Sequence, residues 1–129
     1  MGNAVRFISA LIFLIAAILN APSLSGAAEK VYKGEISDSQ CAFGVHSRHR
    51  SHDEMIAMGH AGNTPAECTR YCVNYRGGRY VLETKKDVFK LDNQELAEKF
   101  AGQAVKLTGT LDTKTNTIQV IKIEPIPEY

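Results

Sequence analysis

All three cysteines and all four histidines of this 129-residue chain fall in one segment: Cys41, His46, His49, His52, His60, Cys68 and Cys72. Random scatter does not usually gather every soft or borderline ligand of a chain into one stretch, so the segment has work that requires them. Three chemistries compete. In the first, Cys68 and Cys72 sit one helical turn apart and present both sulfurs on one face. Cys41 and one histidine then complete a set of three thiolates and one imidazole, which structural zinc accepts; thiolates also suit copper(I). His46 follows Cys41 closely and is the histidine selected, giving Cys41, His46, Cys68 and Cys72 as the metal site.

In the second, Cys41 forms a disulfide with Cys68 or Cys72. That closes a loop of roughly 30 residues, worth about 3–4 kcal/mol in the chain-entropy model. Cys68 with Cys72 is the poorer pair, because Cβ atoms four apart on a helix lie about 5–6 Å from each other and a disulfide wants about 3.8 Å. The spare thiol would call for a metal, a partner protein or a reactive role. In the third, the pair does thiol–disulfide exchange. Cys68 lies near a helix N-terminus with Arg70 close by, which favours thiolate. Against this, C-x3-C is not C-x-x-C, and no thioredoxin-like βαβ pattern surrounds it.

The remaining histidines read more blandly. Ser47, Arg48, Arg50 and Ser51 interleave His46, His49 and His52, and so polar a run reads as an exposed loop; His60, beside Gly59 and Gly62, reads as a turn residue. Ser37, Asp38 and Ser39 adjoin one another without a nucleophile-elbow context. With no paired carboxylates and no Gly-rich phosphate loop, the chain reads as non-enzymatic.

The elements that must hold these ligands follow from patterning. Val31 to Ser37 alternates as a first strand. Asp38 to Asn63 is a long excursion with at most one short helix, near Asp53 to Met58. Loops of this length in a small domain usually have a functional or covalent reason. Thr64-Pro65-Ala66-Glu67 is a capping box with proline at the first helical position, so a helix starts there and runs to Cys72 or Val73. Arg79 to Thr84 and Val88 to Leu91 are strands. Asp92 or Asn93 caps a helix reaching Phe100, with Gly102 closing it. Ala104 to Leu111 and Thr117 to Ile123 form a hairpin with one polar face. Val105, Leu107, Gly109 and Leu111 share its inner side with Ile118, Val120 and, after a phase change, Ile121 and Ile123. Five strands with two inserted helices fit a mainly β fold: a small, partly open, OB-like five-stranded barrel.

Residues 1–28 read as a cleaved signal peptide. Arg6 is the positive start, Phe7 to Leu19 an apolar run broken only by Ser9, and Ser23 to Ala28 a small-residue stretch permitting cleavage after Ala27 or Ala28. The run is short of the roughly 20 apolar residues that span a bilayer. Residues 29–129 then form a single β-rich domain with its Cys/His insertion at 41–72, working in the periplasm or outside the cell. The whole chain holds 15 Lys+Arg against 14 Asp+Glu, and near-neutrality argues against nucleic acid as a partner.

Gly34-Glu35-Ile36-Ser37-Asp38-Ser39-Gln40-Cys41, then His46, then Cys68-Thr69-Arg70-Tyr71-Cys72-Val73 resemble a family of small exported bacterial proteins of unknown function. Phe100 to Leu111 and Asn116 to Val120 resemble it as well. The resemblance implies a small exported β-domain and supports Cys41, His46, Cys68 and Cys72 as a unit, without saying whether that unit holds a metal.

Overall fold

The computed structural model describes residues 26–44, 52–59 and 61–127. The leader expected over 1–28 therefore lies almost wholly outside the described residues, as do His46, His49 and His60. Among the described residues no helix is long and apolar enough to cross a membrane.

The described residues form five strands: β1 (Lys30–Asp38), β2 (Tyr80–Glu83), β3 (Val88–Leu91), β4 (Ala104–Asp112) and β5 (Thr117–Pro125). They order as β1-β2-β3-β5-β4, and β1 pairs with β4 to close the ring. The pairing is antiparallel except at β3 and β5, where Lys90 faces Thr117 and Leu91 faces Ile118 in parallel. The architecture is thus a mixed five-stranded sheet closing on itself, mainly β with short helices, as the patterning predicts. β1 serves both sides of the closure: residues up to Glu35 pair with β4, and Glu35 to Asp38 pair with β2.

The core is the inward side of that ring. Ile36, Leu82, Val105, Leu107 and Ile118 are fully buried, with Leu91, Tyr80 and Ile123 nearly so. Fully burying one such aliphatic side chain contributes about 1.5–3 kcal/mol, so these positions fix the register of every strand. The expected phase change in β5 takes the form of a bulge: Thr108 pairs with Lys122 and Gly109 with Val120, leaving Ile121 unopposed. Ile121 consequently points outward, 54% exposed, and Ile123 resumes the buried side. The expectation that Ile121 faces inward is corrected by that one extra residue.

Among the described residues four helices decorate the ring: α1 (Ser39–Ala42), α2 (His52–Ala57), α3 (Pro65–Tyr75) and α4 (Gln94–Glu98). Asn93 caps α4, while Asp92 accepts from the Val120 amide and ties α4 to β5. The first three helices all lie in the excursion between β1 and β2, where the sequence suggests only one before Thr64. Asp38 explains the extra one. Its Oδ1 accepts from the amides of Gln40 and Cys41, both at 2.9 Å, and caps α1. Thr64 caps α3 as expected, although Glu67 reaches back to the amide of Asn63, one residue before the cap. α3 continues past Val73 with its last turn tied by its own side chains: the rings of Tyr71 and Tyr75, four apart, lie 5.4 Å from each other, and the Arg76 guanidinium lies over the Tyr71 ring.

Candidate metal centre

A second cluster, separate from the ring core, gathers Met55, Ala61, Cys68 and Cys72, with Cys41, Ile56 and Tyr71 packed against it. α1 brings Cys41, α2 brings Met55, and α3 brings Cys68 and Cys72 on one face, both fully buried. The Cys41 sulfur lies 3.9 Å from that of Cys68 and 4.0 Å from that of Cys72. A disulfide would need about 2.05 Å; neither pair is at that distance, and all three cysteines are free. Two sulfurs sharing one tetrahedral ion at Zn–S of about 2.3 Å stand about 3.8 Å apart, close to both spacings. The cysteine part of the predicted set is therefore brought together.

His46 lies outside the described residues. The histidine placed at the cluster is His52, for which the sequence suggests an exposed loop. Its side chain is 12% exposed, and its ring groups with the sulfurs of Cys41 and Cys68, all ligand atoms within 4.8 Å. The physical reason is helical spacing. His52 opens α2 three residues before the buried Met55, so the two share the face that packs on α3. Asp53 and Glu54 in the first turn mark that helix start in the sequence.

The ring of His52 is oriented from one side. Nε2 stands 2.9 Å from Ser37 Oγ, 3.4 Å from Glu35 Oε1 and 3.5 Å from Thr69 Oγ1. Ser37 and Thr69 are fully buried. Nδ1 is buried without a hydrogen-bond partner. An Nε2–H given to the Ser37 hydroxyl, with the Glu35 carboxylate nearby, leaves the Nδ1 lone pair free, the arrangement in which metal-binding imidazoles are commonly held. Burial raises the Glu35 carboxyl above its ordinary range against the lowering influence of His52.

A further residue, missed in the sequence, is Asp38. It is fully buried; Oδ1 caps α1, and Oδ2 has no partner. Its carboxylate groups with the sulfurs of Cys41 and Cys72 within 4.8 Å. The signal was available: an Asp directly before Ser-x-Cys at a strand end is an N-cap, and capping occupies only one of its oxygens.

Burial, followed by the Asp38 charge, pushes the thiols of Cys41 and Cys72 up, Cys72 to about 12; burial pushes Cys68 up as well. A redox catalyst needs the opposite shift, so the electrostatics do not favour thiol–disulfide exchange. They also set a pH dependence. The folded metal-free protein binds these protons more tightly than the unfolded chain. Its stability is therefore full below the ordinary thiol value of 9.0 and is lost as the pH climbs toward 12. Denaturation midpoints of metal-free protein measured on either side of that value should fall with rising pH, and equal midpoints would contradict the buried-thiol account.

Cys41 is half-buried and, with His52, borders a cleft of ≈ 570 Å³ also lined by Lys33, Glu35, Asp53 and Glu83. Cys68 and Cys72, fully buried, lie behind it, so Cys41 and His52 are the members of the cluster that meet the cleft.

Residues 72–126 match the model of a family described as Protein of unknown function (DUF5818). The match takes in the end of α3 and strands β2 to β5, so Cys72 is inside it. Cys41, Cys68 and the Gly34-to-Cys41 stretch are not. No curated protein and no solved structure matches the chain.

Proposed function

We propose that this chain is an exported, non-enzymatic domain that binds a thiophilic ion, zinc or copper(I), through Cys41, Cys68, Cys72 and a histidine. The observation that carries the reading is the sulfur of Cys41 lying 3.9 Å and 4.0 Å from those of Cys68 and Cys72. His52 takes the imidazole role because its ring groups with the sulfurs of Cys41 and Cys68 and its Nδ1 is buried without a partner. His46, which the sequence favoured, becomes a second-choice ligand from the neighbouring segment. Thiolates would be the charged ligands, and binding energy would be folding energy. Export rests on the leader pattern from Arg6 to Ala28, and it puts the centre in the periplasm or outside the cell.

The test is the intact mass of the protein recovered from the periplasm, first native, then denatured with a thiol-alkylating reagent. A chain starting at Ala28 or Glu29, heavier by bound zinc or copper, with all three cysteines alkylated on denaturation, supports the proposal. A metal-free chain with one alkylated cysteine would replace it with a disulfide-stapled interaction module.

A further inference from the structure

Five buried side-chain polar atoms among the described residues lack a hydrogen-bond partner: Tyr32 Oη, Glu35 Oε1, Asp38 Oδ2, His52 Nδ1 and Tyr80 Oη. The two tyrosines belong to the ring core, and Glu35 Oε1 faces His52 Nε2. The other two sit at the cysteines, and they do not sit together. His52 belongs to a triad with Cys41 and Cys68, and Asp38 to a triad with Cys41 and Cys72. Each triad thus contains one orphaned polar atom, and the sulfur of Cys41 is common to both.

A buried polar group without a partner costs about 1–3 kcal/mol, and a charged one more. One ion held by His52, Cys41 and Cys68 would account for the imidazole and leave the buried Asp38 Oδ2 without a partner. We infer that the centre takes two zinc ions bridged by the Cys41 thiolate. Cys41, Cys68 and His52 hold one; Cys41, Cys72 and Asp38 hold the other. This rests on the metal-binding reading above and goes further in naming the ion, the number of ions and a carboxylate ligand.

Charge favours the pair. Three thiolates and one carboxylate bring four negative charges, which two divalent ions match. One zinc, or two copper(I) ions, leaves a net double negative charge among largely buried groups, a costly arrangement. The uptake balances as two Zn²⁺ in and three thiol protons out, with no electron transferred. Three protein ligands per ion leave each tetrahedral site one position for water.

The experiment is a zinc titration of the purified protein followed by native mass spectrometry, with circular dichroism to verify folding. Two zinc ions per chain are expected, falling to one in Asp38→Asn, which keeps an oxygen to cap α1. Cys72→Ser, which leaves that cap untouched, should independently fall to one. Saturation of the unmodified protein at a single zinc overturns the bridged pair and leaves the metal-binding reading standing. No bound zinc overturns the bridged pair, and no copper(I) bound in a parallel titration overturns the metal-binding reading as well; two zinc ions retained in Asp38→Asn overturn the place given to Asp38.

Discussion

On the metal-binding proposal, stripping the ion from the native protein with a chelator is expected to lower its melting temperature by roughly 10–20 °C. A ligand present at about 100 times its Kd stabilises the fold by about 2.7 kcal/mol, and a domain of this size shifts by about 4–8 °C per kcal/mol. The size of the effect follows from how little else holds the excursion. Among the described residues its cluster buries Met55, Ala61, Cys68 and Cys72, and α2 spans His52–Ala57, far below the length at which a helix persists alone. Two further features of the metal-free state should accompany the shift. Amides of α2 should exchange faster than those of β4 and β5, and the ring core around Leu107 and Ile118 should stay protected until global unfolding. A verified loss of metal with an unchanged melting temperature would mean that the helices pack without the ion.

Gly102→Ala is expected to cost about 3 kcal/mol of stability, among the larger values for a single methyl group. Two independent penalties add there. Gly102 has φ +72°, a left-handed conformation that side chains resist. A Cβ would also run into the backbone nitrogen of Ala66 and stand 2.6 Å from the Pro65 carbonyl carbon. Those atoms are the first turn of α3, so this glycine is where the cysteine-bearing helix rests on the ring. Its own amide donates to the Ile36 carbonyl at 2.7 Å, which prevents the loop from simply moving away. Gly77→Ala is the control. With φ +70° and nothing within 4 Å of where an added methyl would sit, it meets only the conformational penalty, about 1 kcal/mol. Urea midpoints of the two variants separate the steric part from the dihedral part. Equal losses would show that α3 yields at Pro65 and does not press on the ring.

Legibility followed the range of the interaction that decides each feature. β4 and β5 were legible because alternation is local and the turn between them is short; even the bulge announced itself as a phase change at Ile121. The start of α3 was legible in Thr64 to Glu67 because capping acts over three residues. Its end was not, because Tyr75 is held helical by side-chain stacking on Tyr71 that no capping rule encodes. The three cysteines could be grouped from composition alone. The approach of His52 to them could not be read there, since it depends on which face a six-residue helix turns toward α3. Asp38 was legible only as the cap of α1; packing shows that its second oxygen is buried without a partner.

The first and last residues of the excursion's frame, Asp38 and Tyr80, face each other across the β1–β2 ladder. Antiparallel neighbours joined at such a point need only a tight two-residue turn. Everything between them, ligands included, is therefore a cassette hung on a hairpin. Exchanging it for a plain turn would leave each strand of the ring with the neighbours it has now, and lengthening it would disturb none of them. Chains that share this scaffold can on this account gain, lose or retune a metal centre by editing one connection. Their barrel sequences would stay alike while their chemistry diverged, and the likeness of β2 to β5 between two such chains would say little about what either of them binds.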